Sequence, residues 1–195
     1  MAHWTENLSG RRAQQPETEW LSPDAEQIRK VLGDGAVTWS VEVGQDITRR
    51  IVERVPVLED DVAAREAVRR ATTATTLRAL MLVAGMVERD ASLFSAEVRE
   101  IARDFARRGM ELDDLLRAIR VGYAVLAAGL LDAARALLPP AESSSEMRRI
   151  SVLLFEVQDD FSAGAASAFI EEQSVWTAGV SAARLELVTM ILRGE

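Results

Sequence analysis

The sequence predicts an all-α protein, a bundle of about six helices with a long last helix. Three observations predict it. No segment alternates apolar and polar residues with period two over five residues or more. Leu112, Leu115, Leu116, Ile119, Tyr123, Leu126, Leu130, Ala133/Ala134 and Leu137 keep one helical face apolar for seven turns. Stop signals at Gly33, Pro56, Gly109 and Pro139-Pro140 divide the chain into helix-sized pieces. With 195 residues, 48% of them hydrophobic and 28% charged, the chain is long enough for one domain plus an arm.

Residues 1–21 are polar, with Gly10, Pro16 and two isolated tryptophans, Trp4 and Trp20. They read as a flexible arm or a docking segment. Ser22-Pro23-Asp24 opens the first helix. Ser22 can cap, Pro23 suits the first helical position, and Asp24 and Glu26 face the positive end of the dipole. Gly33-Asp34-Gly35 stops it. The second helix covers about residues 37–55, with Val43, Ile47, Ile51 and Val55 inward, and Pro56 ends it. The third runs from Asp60-Asp61 to about Glu88. Its second half, residues 77–87, is apolar all round, which places it at the centre of the fold.

Ser92 or Ser95 begins the fourth helix, whose stripe is Val98, Ile101, Ala102 and Phe105. Gly109 is its left-handed stop. The fifth covers residues 112–138, about 40 Å at the usual helical rise. Pro139-Pro140 ends it, and residues 141–146 read as a solvated loop. The last helix begins near Ser145 and continues towards Leu192, and Gly164 or Gly179 is where a bend is expected. Ile150, Leu153, Leu154, Val157, Phe161, Ala165 and Phe169 form its inner face. The predicted units are an arm (1–21), a helical domain (22–182) and a terminal helix (183–195). That terminal helix carries a stripe of Leu185, Val188 and Ile191/Leu192. It either packs back on its own domain or connects to a domain outside this chain.

Composition narrows the chemistry. There is no cysteine, which excludes disulfides, thiolate nucleophiles and cysteine metal sites. His3 is the only histidine and lies in the arm, away from any helix that could present it to a pocket. Lys30 is the single lysine among 23 basic residues, and no motif surrounds it. Without a nucleophile–base pair or a Gly-rich phosphate loop, no catalytic residue is expected and the chain reads as a non-enzyme. A net charge of -8 disfavours direct contact with nucleic acid. The longest apolar run, residues 121–131, is too short to span a bilayer, and no targeting segment is visible, so a cytoplasmic location is expected.

The stretch Arg107-Arg108-Gly109-Met110-Glu111-Leu112-Asp113-Asp114-Leu115-Leu116-Arg117-Ala118-Ile119-Arg120-Val121-Gly122 resembles the centre of the N-terminal helical domain of PucR/CdaR-type transcriptional regulators. That domain is related to the N-terminal domain of RsbR-type stress-signalling proteins. The helix ending at Pro56 and the terminal Arg184-Leu185-Glu186-Leu187-Val188 stretch also look like their counterparts there. Met110-Glu111 replaces a more usual Val-Pro or Ile-Pro, and Ile119 a more usual Tyr. The resemblance covers about residues 37–195. It implies a globin-like bundle, commonly dimeric, that acts as a sensory input. The DNA-binding region it implies would lie outside this chain, so no DNA contact is assigned to residues here. An RsbR-like scaffold that binds partners in a signalling complex is the alternative.

Candidate sites follow. Haem would need Tyr123, Met81 or Met86 as axial ligand, and core packing explains all three, so no cofactor is expected. Glu97, Glu100 and Asp104, and likewise Glu156, Asp159 and Asp160, lack an accompanying histidine, so no metal site is expected. Arg99, Arg103 and Arg107 read as intrahelical ion-pair partners. Arg117 and Arg120 flank the apolar stripe of the fifth helix. Arg120 forms either a structural bridge to Asp104 or Asp159, or, with Arg117 and the Tyr123 hydroxyl, a clamp for a small acidic effector. Gly122 and Gly129, two turns apart, admit a close helix crossing or a dimer contact. Phe169 and Trp176 form one seam, either at a homodimer interface or within the domain.

Overall fold

In the computed structural model of the chain, the described residues are 4–10, 22–88 and 93–193, with side chains described to 176. Six α-helices run in order: α1 (Pro23–Leu32), α2 (Asp34–Arg54), α3 (Val62–Val83), α4 (Ala96–Arg107), α5 (Leu112–Leu137) and α6 (Pro140–Arg193). Short 3-10 turns cover Trp4–Asn7 and Pro56–Leu58, and there is no strand among the described residues. The expected all-α class and helix number hold.

Five of the helices close a ring. α2 packs on α3, α3 on α4, α4 on α6, α6 on α5, and α5 back on α2, while α1 lies across α2 and α3. The apolar stripes read from the sequence point to the inside of this ring. Leu77, Leu80, Phe105, Leu126, Leu130, Ile150 and Phe169 are all fully buried. α3 is the most enclosed element, as its apolar second half requires: its residues from Ala71 to Val83 are buried except Arg78, which reaches Asp24 of α1 at 3.0 Å.

Glycines set the ends of α3 and α4 through the same geometry. After α3, Gly85 (φ 71°) donates its N–H to Leu82 and Met86 donates to Met81. After α4, Gly109 (φ 70°) donates to Ala106 and Met110 to Phe105. Each pair satisfies two carbonyls that the last turn would leave open. α3 therefore ends at Val83, short of the expected Glu88. α4 starts at Ser95 rather than Ser92, because the Ser95 hydroxyl accepts the Val98 N–H at 3.3 Å. Ser22 occupies the cap position of α1, but its hydroxyl caps nothing; its carbonyl accepts the Ala25 N–H instead.

The expected loop at 141–146 is helix. Pro140 takes the first helical position, where its missing N–H leaves no bond unmade, and the Pro139 carbonyl accepts from Glu142 and Ser143 at 3.0 Å. The double proline thus separates α5 from α6 at Leu138 and Pro139 alone. α6 continues unbroken through Gly164 and Gly179 to Arg193. Gly164 instead makes room for Phe94, a ring atom of which lies 3.0 Å from where a Cβ would sit.

Residues 4–10 dock on the bundle. Trp4 and Leu8 are buried, and a Cβ on Gly35 would stand 2.3 Å from the Leu8 carbonyl oxygen. Residues 11–21, Trp20 among them, lie outside the described residues, as do His3 and the side chains of the terminal stripe, Leu185, Val188, Ile191 and Leu192.

Candidate functional site

The five helices of the ring line a small apolar pocket of about 80 Å³ that is partly open to the outside. α2 supplies Ile47 and Ile51, and α4 supplies Val98, Ile101 and Phe105. α5 presents Leu115, Ile119 and Tyr123, four apart on one helical face, with Gly122 beside them. Phe161 of α6 closes the remaining side. It meets the Tyr123 ring edge-on at 5.5 Å and the Phe94 ring at 6.1 Å, and the Arg99 guanidinium stands over Phe94.

The polar side chains of the wall are few. Thr72 and Thr75 of α3 face it. The Thr75 hydroxyl donates to the Ala71 carbonyl at 2.8 Å. The Thr72 hydroxyl lies within 3.0 Å of the Gly44 and Arg69 carbonyls and 2.8 Å from the Thr48 hydroxyl. Tyr123 differs. It is buried, and its hydroxyl has no hydrogen-bond partner. Burial pushes its titration well above the ordinary phenol range, so at neutral pH it is an uncharged donor. A water-sized molecule cannot reach this hydroxyl, so the polar atom is packed away from the open space and Tyr123 lines the pocket with its ring.

The arginines expected beside Tyr123 point elsewhere. Arg117 and Arg120 are both exposed, and both reach Asp113 of their own helix, at 2.9 and 3.5 Å. Asp113 lies one and two turns before them on the outer face, so their charge is answered locally and neither lines the cavity. The expected bridge from Arg120 to Asp104 or Asp159 is not made. Asp104 pairs with Arg108 at 2.5 Å, and Asp159 is exposed. The expected clamp therefore reduces to Tyr123.

Phe169 and Trp176 do not make one seam. Phe169 is fully buried in the ring, whereas Trp176, two turns on, is 58% exposed. Gly122 and Gly129 both serve the crossing with α2: added Cβ atoms would lie 3.3 Å from Ile47 and 3.5 Å from Val43. Of the ion pairs expected within α4, Glu100 with Arg107 is made; Arg103 instead reaches Glu172 of α6, Arg99 stacks on Phe94, and Asp104 pairs with Arg108, so the pairing reaches further than its own helix. Arg107 binds Glu100 at 2.5 Å and Glu172 of α6 at 3.4 Å, and Arg108 also contacts Asp61 ahead of α3. Among the described residues no group of three potential ligands could hold a metal ion, and no helix is long and apolar enough to cross a membrane.

The threonines of α3 were not singled out by sequence reasoning. Their signal was present: Thr72, Thr73, Thr75 and Thr76 form a run without charge between Arg70 and Arg78, leading into the apolar second half of the helix.

A closed helical ring with an apolar centre, joined to a last helix that runs on past it, defines an all-α domain among the described residues. Residues 41–184 match the model of the RsbT co-antagonist protein rsbRD N-terminal domain. The chain belongs to this family: it is an RsbR-like helical domain. No curated protein and no solved structure matches the chain significantly.

Proposed function

We propose that the chain is the non-catalytic, haem-free sensory and dimerisation module of a cytoplasmic transcriptional regulator, passing its signal along α6 to a DNA-binding region outside this chain. The carrying observation is α6 itself. It spans 54 residues, about 80 Å at 1.5 Å per residue. Its first thirty residues or so, up to Phe169, are built into the ring, and the described side chains beyond Phe169 are mostly exposed. A change in ring packing that favours one of two arrangements reaches the far end through this single element.

The test is phase. Two residues inserted into α6 after Trp176 turn everything downstream by about 200°, whereas seven restore the face within about 20°. In a chimera that places a reporter DNA-binding domain after Arg193, the seven-residue insertion keeps regulation and the two-residue insertion abolishes it. Equal output from both, or sedimentation of the purified chain as a monomer at high concentration, overturns the reading.

One observation favours a second reading, a scaffold in a stress-signalling complex. Val152 and Phe155, one turn apart on the outside of α6, are 48% and 76% exposed. An exposed apolar pair of this kind suits a partner protein, and the family's name describes a co-antagonist of RsbT. Binding of RsbT that Phe155→Glu abolishes, with regulation insensitive to helix phase, would select this reading.

A further inference from the structure

We propose that the outer face of α6 is an interface with a second copy of this chain, a stripe centred between Val152 and Phe155 that pairs with itself antiparallel across a two-fold axis. This rests on the dimerisation reading above and names its surface.

Spacing defines the stripe. Ala141, Ser145, Arg148, Val152, Phe155, Asp159, Ser162 and Ala166 follow one another at alternating steps of four and three residues, which keeps them on one side of a helix. The ring leaves this side open. The stripe is exposed from Ala141 to Asp159 and half-buried at Ser162 and Ala166. Phe155 holds most of its ring in water.

Order identifies the occupant. Val152 stands as far before the centre as Phe155 stands after it, and Arg148 as far before it as Asp159 after. Ser145 matches Ser162 in the same way, and Ala141 matches Ala166. Two copies laid antiparallel about that centre set Val152 against the partner's Phe155 and Arg148 against the partner's Asp159, each contact made twice. A two-fold interface requires such a self-complementary patch. Parallel pairing would instead oppose arginine to arginine and aspartate to aspartate, which charge repulsion disfavours.

The charges are uncommitted. Arg148 and Asp159 are exposed, and among the described residues neither takes part in an ion pair. They stand about 16 Å apart along their own helix, too far to meet each other. The adjacent Arg149, by contrast, is held by Glu146 at 2.7 Å. The sizes fit as well. Small residues at both ends of the stripe let the two backbones approach, and the central phenylalanines supply the aromatic anchors on which such contacts depend. In this arrangement the Arg193 ends leave the dimer on opposite sides, so each α6 serves its own downstream region.

Sedimentation equilibrium of the purified full chain tests this, with circular dichroism to confirm that each variant is folded. All three substituted positions are exposed, so the bundle itself is spared. The wild type is expected to be a dimer. Phe155→Ala should raise its dissociation constant roughly thirtyfold or more. Arg148→Asp and Asp159→Arg each create two like-charge contacts and should raise it about tenfold. The double reversal Arg148→Asp with Asp159→Arg restores both pairs and should return the constant to within about twofold of the wild type. Single reversals without effect, or a double reversal that recovers nothing, overturn the antiparallel pairing. A dimer indifferent to Phe155→Ala overturns the surface, and loss of purified RsbT from that variant then assigns the patch to RsbT. A wild-type dimer that ignores all these substitutions leaves the dimerisation reading intact on another face, whereas a wild-type monomer removes both.

Discussion

The indole Nε1 of Trp4 donates to Glu146 Oε1 at 2.8 Å, joining the first described turn of the chain to the start of α6. The same carboxylate holds Arg149 through both oxygens, and Arg149 donates onward to the carbonyl of Val83 at the end of α3 at 2.6 Å. One carboxylate thus ties together three segments far apart in sequence. Trp4→Phe keeps an aromatic ring but removes the donor and part of the buried indole, and Glu146 retains Arg149. The expected loss is about 2 kcal/mol, hydrogen bond and packing together, read from urea unfolding, and deprotection of amides 4–10 in hydrogen exchange should exceed the global change.

Acid should loosen the same network. Arg149, by hydrogen bonding, and then Trp4 hold the Glu146 carboxyl below its ordinary 4.5 against the opposing effect of burial. A lowered native pKa means that the unfolded chain takes up protons first. The stabilisation is therefore complete above pH 4.5 and lost as pH falls through the native value. Urea midpoints measured from neutrality down to acid should fall more for the wild type than for Glu146→Gln.

Tyr123 has the opposite dependence. It is the only tyrosine of the chain, so its phenolate absorbance reports on one site. Burial raises its native pKa above the ordinary 10.0. The unfolded chain then loses the proton first, and stability declines as pH rises above 10.0. No phenolate signal should appear until the protein unfolds. Tyr123→Phe should remove this alkaline loss and, by deleting an unpaired buried hydroxyl, raise stability at neutral pH by about 1 kcal/mol. A phenolate titrating near 10 in folded protein would contradict the geometry.

The crossing of α2 and α3 depends on Gly44. A Cβ there would lie 2.9 Å from the Thr73 Cα and 3.1 Å from its nitrogen, so backbone rather than a movable side chain must give way. Gly44→Ala should cost about 1–2 kcal/mol net, overpacking outweighing the gain in helix propensity. Gly122→Ala is the contrast. Its nearest neighbour is the Ile47 side chain at 3.3 Å, which can adjust, and its thermal midpoint should stay near that of the wild type.

Much of this architecture was legible in the sequence, for stated physical reasons. The stripe from Leu112 to Ala134 and the glycine stop at Gly109 depend on local rules, and both appear as read; Leu137, the last residue expected on that stripe, is exposed where α5 runs out beside the Pro139-Pro140 junction. The Pro139-Pro140 junction also marks a real break, but the second proline starts α6 where a loop was expected, because a proline is as good a helix beginning as a helix end. The site was half legible. Tyr123 follows from the stripe of its helix. Arg117 and Arg120 border the same stripe, yet whether a long flexible cation turns inward depends on what answers its charge, and Asp113 does so from outside. The convergence of α2, α3 and α4 on the same space is a property of tertiary packing and leaves no mark in any one segment.

The continuity of α6 has a mechanical consequence. Residues Phe161 and Arg193 belong to one helix and stand about 48 Å apart along its axis. A rod of that length acts as a lever with its short arm in the bundle: pivoting by roughly 5° at the Phe161 wall would sweep its tip through about 4 Å. A displacement smaller than a single bond at the fulcrum becomes a movement wider than an atom at the tip.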